Sequence, residues 1–253
     1  MHWTGLTLSI GMAVAAGLVG CFAVMRRMAL ASDAMSHVAL PGIGLALVFH
    51  FHPVLGGLAA LFVGTFLVWG LERQTRISTE TMIGVVFSLA LAVGSMLVTG
   101  DELVDALLGA PGTLGRWELA LGLAGAAAVV AFVLTQRNRL VIALVSGDIA
   151  RTSGIRVARL ELLYLLAFAL TVALGLRYLG VLLMGSLVII PAATAKHLAR
   201  SLDGMFAIAG GVAVASTLAG ELLAPRLHRT TGPVIIAIAA AIFLVSLFVR
   251  RRP

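Results

Sequence analysis

Two side chains in a very apolar stretch, Asp33 and His37, offer the chemistry of this sequence. They lie four residues apart in MRRMALASDAMSHVALPGIGLAL, residues 25–47, so on a helix they share one face about one turn apart. A carboxylate oxygen beside an imidazole nitrogen suits a divalent transition metal such as zinc or manganese. Pro41 adds to this. It has no N–H, so the carbonyl of His37, four residues earlier, loses its helical donor. Facing a cavity, that oxygen would offer a further ligand. A second reading stands beside the first: Ser32 or Asp33 N-caps a helix that starts late, and His37 bonds a neighbour. The Asp-x-x-x-His spacing does not choose between them.

The elements that must hold this pair are set by composition. Of 253 residues, 60% are hydrophobic and 11% charged, with a mean hydropathy of +1.09. Soluble domains average about 45–50% apolar and about 25% charged residues. Soluble globular and disordered folds are thereby excluded, and the lone Cys21 excludes a disulfide scaffold. The reading is an all-α, polytopic membrane protein in one transmembrane domain, residues 1–253. A span needs about 20 mostly apolar residues. Segments of that kind lie near 4–25, 28–50, 53–71, 80–99, 117–135, 161–176, 179–196, 204–224 and 233–249. Nine helices are expected, the sixth and seventh short, with the main interruption at 140–160. The start MHWT lacks a basic region, so the first segment reads as a retained span.

Charge sets the orientation. The net charge of +7 is read as topology and not as an affinity for nucleic acid, because Lys and Arg collect in cytoplasmic loops. With the N-terminus outside and the C-terminus inside, 14 of the 18 basic residues fall on the inner side. Arg116, Arg177, Arg226 and Arg229 remain outside. At about 1.5 Å per residue, His37 then lies roughly 15 Å beyond Arg27, near the bilayer centre. An ionisable group at that depth is expensive and usually functional. The single lysine, Lys196, follows Ala195, so the nucleotide-binding pattern GxxxxGK[ST] is absent. Any ATP hydrolysis must occur on another chain, and no Ser/His/Asp set suggests catalysis. No permanently bound cofactor is expected.

Other polar residues read more plainly. His50, His52 and His228 lie at outer ends, open to a metal but more simply solvated, and so do the acids Asp101, Glu102 and Asp105. His197 complements a helix C-terminus. The glycine groups at 17–20, 42–44, 56–57 and 210–211 suit close helix packing. Pro41 and Pro191 are expected to break spans running in opposite directions, a pattern that points to inverted repeats and gating in transporters. Residues 146–160 form a basic cytosolic segment. Within it Asp148 would start a short helix, Ala150 supply a small face and Gly154 end it. Such a helix suits docking into a partner's groove; an ordinary loop is the alternative.

These residues resemble the membrane permeases of bacterial zinc/manganese/iron ABC importers. The match runs through Gly20, Arg26-Arg27-Met28, Asp33, Ser36-His37 and Leu40-Pro41-Gly42. It continues with Thr81, Ile83-Gly84 and Ser88, and with Asp148 through Gly154. It resumes at Leu179-Gly180, Leu182-Leu183, Ile190-Pro191-Ala192-Ala193-Thr194-Ala195 and Gly232-Pro233. The resemblance implies a multi-pass protein of the bacterial inner membrane. Two copies would form the pathway, two ATP-binding subunits would dock at about 148–156, and an extracytoplasmic binding protein would deliver the metal. The family's intramembrane metal pair falls on Asp33 and His37. The sequence departs from the family at His228-Arg229-Thr230-Thr231, where an acid and a proline are common, and around Leu108-Gly109-Ala110-Pro111.

The function so implied is metal import by alternating access, with zinc favoured over manganese or iron. One rival is an ion-coupled secondary transporter with the pair as a proton relay. Another is a permease for a metal chelate or vitamin, which needs a wider, more aromatic cavity than 6% aromatic residues suggest.

Overall fold

The computed structural model describes residues 3–75, 77–97 and 115–248, with the backbone alone at 3–4, 29–32 and 177–183. Arg76, Asp101, Glu102, Asp105, the stretch 108–111 and Arg250 to Arg252 lie outside the described residues. The chain runs α1 (Trp3–Met25), α2 (Ala29–His37), α3 (Leu40–Val48), α4 (Pro53–Gln74), α5 (Thr79–Leu97) and α6 (Arg116–Val145). It continues with α7 (Gly147–Thr152), α8 (Val157–Leu198), α9 (Leu202–Leu223) and α10 (Thr231–Phe248). Among the described residues there is no strand.

Seven of these helices have a stretch long and apolar enough to cross a membrane. Two further crossings come from how the chain bends. The second expected span is broken into α2 and α3, which together cover 29–48. The sixth and seventh expected spans are joined in the 42 residues of α8. As a straight rod α8 would be about 63 Å long. Both of its ends, however, meet the same end of α1. Glu161 lies 3.8 Å from Arg26 and Tyr164 Oη donates to the Val19 carbonyl at 3.1 Å. Lys196 Nζ donates to the Val24 carbonyl at 3.3 Å. The Met184 side chain fills the space a Cβ at Gly175 would need. The element therefore doubles back between Gly175 and Met184, giving one arm over 157–176 and another over 184–198. Among the described residues that makes nine crossings.

Contacts between helix ends fix the sides. Trp69 Nε1 donates to the Ala158 carbonyl at 2.9 Å, and Arg137 pairs with Asp203. Together with Arg26–Glu161 and Lys196–Val24 these link residues expected inside. At the opposite face His52 Nε2 lies 3.5 Å from Glu118 Oε1, joining two ends expected outside. α6 continues to Val145, ten residues past its expected end, so the interruption at 140–160 narrows to the segment around α7.

α1 is the innermost helix, packed against α8, α9 and α6. Its Ala13, Ala15, Ala16, Val19 and Cys21 are fully buried. Between apolar helices in lipid, association rests on dispersion and close approach, which small residues permit. Val188 O occupies the space a Cβ at Gly20 would need, and Ala209 O stands 2.9 Å from the Cβ position of Gly17. The contact of α3 with α4 is reciprocal: the Gly56 carbonyl fills the Cβ position of Gly42, and the Gly42 carbonyl fills that of Gly56. The Cβ positions of Gly210 and Gly211 meet open space, while the Gly210 backbone nitrogen stands 3.2 Å from the Cβ position of Gly17.

Pro41 and Pro191 behave differently. Pro41 occupies the first turn of α3, where its missing N–H costs nothing. The break falls just before it, at Val38 and Ala39. Pro191, by contrast, sits inside α8, which continues helically to Leu198. It does not break its span, so the expected pair of broken helices reduces to one.

Candidate metal-translocation site

Asp33 is the fifth residue of α2 and His37 its last. The N-cap of α2 is Met28, with no side-chain capping bond. Neither Ser32 nor Asp33 therefore caps the helix, and that half of the second reading falls; the other half holds, since His37 bonds a neighbour, the Asp33 carbonyl. After His37 the chain tightens by i→i−3 bonds, Val38 N to Met35 O at 3.1 Å and Ala39 N to Ser36 O at 3.3 Å. α3 then starts afresh. The Pro41 ring has no N–H to offer the His37 carbonyl.

The imidazole is oriented by two contacts. His37 Nδ1 lies 2.9 Å from the backbone oxygen of Asp33. The Phe87 ring of α5 makes a T-shaped contact with it, with centroids 5.5 Å apart and planes at 79°. From the other side, Gly185 of the second α8 arm presses on Asp33: its Cβ position is 2.7 Å from Asp33 Cα and 3.1 Å from Oδ1. Asp33 is exposed and His37 half-buried in the single chain. Among the described residues, no cluster of three or more His, Cys, Asp or Glu side chains is present. One chain thus carries a carboxylate and an imidazole one helical turn apart, beside a carbonyl that Pro41 leaves without its helical donor.

Phe87 and Gly185 escaped the sequence reading. Nothing in residue type or spacing separates Phe87 from the other phenylalanines, or Gly185 from the other glycines; only the fold brings them to the pair. Pro191 lies six residues beyond Gly185, about 9 Å further along the arm, and is not in the site.

The cytosolic segment forms a well-closed short helix. Ser146, not Asp148, is its N-cap, the hydroxyl accepting from Ile149 N at 3.3 Å. At the other end Gly154 has φ +77. Gly154 N donates to Arg151 O at 3.0 Å and Ile155 N to Ala150 O at 2.9 Å, the paired bonds of a Schellman closure. Ala150 is fully buried, whereas Ile149 is 57% exposed. The face α7 shows to the cytosol is therefore Asp148, Ile149 and Arg151, with Ala150 seating the helix on its own chain.

The outer histidines have structural places. His50, at φ 56, closes α3 with the same paired bonds, His50 N to Leu47 O and Phe51 N to Ala46 O. His228 takes a left-handed turn after α9, at φ 51. His52 pairs with Glu118 at the rim of an apolar cavity of about 630 Å³ between α1, α4, α6 and α8. Neither Asp33 nor His37 lines that cavity. His197 is in the last turn of α8 as expected, its Nε2 buried.

Nine crossings among the described residues, one of them broken beside Asp33 and His37, and a capped short helix at the inner face define an all-helical, multi-pass membrane protein. The comparisons make the class specific. A family model described as the ABC 3 transport family matches residues 2–250, and the chain belongs to that family. It is 30% identical over 255 residues to the high-affinity zinc uptake system membrane protein ZnuB of Haemophilus influenzae, covering 98% of this chain and 96% of that one. It is 33% identical over 258 residues to the manganese transport system membrane protein MntC of Bacillus subtilis, covering 95% and 58%. The solved structure described as PsaBC from Streptococcus pneumoniae in complex with Fab has the same fold, with a TM-score of 0.85 at 24% identity over 99% and 93% of the two chains. The chain is thus a metal-type ABC permease, a multi-pass protein of the bacterial inner membrane. It is a transport subunit and not an enzyme, with the ATPase on a separate subunit. That removes the ion-coupled secondary transporter.

Proposed function

We propose that the chain imports zinc, taking the ion at Asp33 and His37 and passing it inward by alternating access. The observation that carries this is the placement of the pair: a carboxylate and an imidazole on one face, where the second span is broken and a carbonyl has lost its donor. Imidazole disfavours Ca²⁺ and Mg²⁺, which prefer all-oxygen shells, and binds zinc more strongly than manganese at such a site.

The pathway is completed by a second copy. Asp33 is exposed in the single chain, and no third acid, cysteine or histidine joins the pair among the described residues. A second copy facing it would raise the donor set to two carboxylates and two imidazoles, enough for a tetrahedral ion. The whole chain acts as one permease domain. Its segment 146–160 docks an ATP-binding subunit through Asp148, Ile149 and Arg151, while Ala150 and Gly154 hold the shape of α7. An extracytoplasmic binding protein delivers the ion to the outer face. Metal ions are cargo, and no cofactor is retained.

The test is accumulation of zinc and of manganese by cells expressing the chain with its ATPase. Wild type is compared with Asp33→Ala and His37→Ala. Both variants are expected to lose uptake while remaining in the membrane with the ATPase bound. Normal transport by both would overturn the assignment.

A further inference from the structure

We propose that Phe87 is a positioning residue for the metal pair, holding the His37 ring so that Nε2 alone faces the ion. The inference rests on the metal-site reading above and deepens it. It starts from the 2.9 Å contact between His37 Nδ1 and the Asp33 carbonyl. A carbonyl oxygen only accepts, so Nδ1 carries the proton and donates. In the neutral ring Nε2 is then the nitrogen with a free lone pair. A second-shell hydrogen bond of this kind fixes both tautomer and orientation of a metal-binding histidine.

One hydrogen bond leaves the ring free to swing about it. The Phe87 ring, 5.5 Å away at 79°, removes that freedom, an edge-to-face arrangement favoured by the ring quadrupoles. The two contacts come from different elements, α2 and α5. The direction of Nε2 is therefore set by how α5 packs on α2, and not by α2 alone. A ring held this way favours ions that gain most from a directed nitrogen lone pair. Zinc and cobalt gain more from it than manganese, which accepts oxygen ligands readily. Phe87 thereby contributes to selectivity without touching the ion.

The test is titration of the purified full-length chain in detergent with Co²⁺, read by its visible d–d absorption, and with Mn²⁺, read by the electron-spin signal of the free ion. The proteins are wild type, Phe87→Leu, Phe87→Met, Phe87→Tyr and His37→Ala. Loss of the ring in the Leu and Met variants is expected to weaken Co²⁺ binding about tenfold and shift its band, with a smaller change for Mn²⁺. Phe87→Tyr, which keeps the ring, should restore wild-type behaviour. A purely packing role would weaken both metals equally, and that result would overturn the proposal. So would an unchanged band in whichever of the Leu and Met variants elutes as folded protein. A wild-type band in His37→Ala would instead overturn the metal pair itself, which separates the two failures.

Discussion

Gly185 lies backbone to backbone with Asp33, close enough that a methyl group on it would stand 2.7 Å from the Asp33 Cα and 3.0 Å from its amide nitrogen. These are main-chain atoms, which cannot swing aside as a side-chain tip does. Gly185→Ala is expected to push α2 away from the second arm of α8, at a cost of about 1–3 kcal/mol. The carboxylate moves with it. Metal uptake should fall at least about tenfold, as it does when metal-site geometry is lost, with the chain still inserted. Thermal unfolding in detergent and metal accumulation check the two parts.

The reciprocal approach of Gly42 and Gly56 predicts a symmetric sensitivity. Either residue replaced by leucine forces α3 off α4, because the obstruction is the other's carbonyl. Each single variant should lower the unfolding temperature. The double variant should add little to either, since the contact is already lost. Additive losses would show that the two glycines act separately.

At the cytosolic face, Ile149→Asp should leave the permease folded and membrane-inserted but abolish recovery of the ATPase in a pull-down. Gly154→Ala acts through shape. An alanine held at φ +77 costs about 1–2 kcal/mol, so α7 frays and uptake falls while Asp148, Ile149 and Arg151 remain present. Unchanged uptake in Gly154→Ala would show that the closed helix is not needed for coupling.

The buried hydroxyl of Tyr164 bonds the Val19 carbonyl at 3.1 Å, beside Phe22 and beneath the Arg26 guanidinium. Tyr164→Phe keeps the ring and removes one interhelical bond, worth about 1 kcal/mol in a membrane interior. A modest drop in thermal stability with unchanged metal selectivity is expected, measured by unfolding and by the ratio of zinc to manganese uptake.

Much of this was legible in the residues, for definite reasons. Apolar runs and the asymmetric placement of arginine set the crossings and their direction, because lipid admits little else. Asp33 and His37 stood out because so few residues are charged, and Pro41 located the break within three residues. Pro191 misled, since a proline can be carried inside a packed helix when its neighbours hold the backbone. Ser146 caps α7 although Asp148, two residues on, is an equally good cap by residue type, and Ala150 faces inward because burial of a six-residue helix depends on its seat. Most hidden were the left-handed closures at Arg27 and His50. There residues other than glycine adopt φ 60 and φ 56, and no sequence signal announces it.

The enclosure of α1 bears on how the protein is made. The helices that bury it, α6, α8 and α9, follow more than ninety residues later in the chain. During synthesis α1 therefore enters the bilayer before the helices that finally enclose it have been made. It is uniformly apolar enough to do so, with a mean hydropathy of 2.2 over its span. Its final neighbours join it after insertion. A charge placed on α1 would thus strike twice, first at insertion and again at the later closing of the bundle.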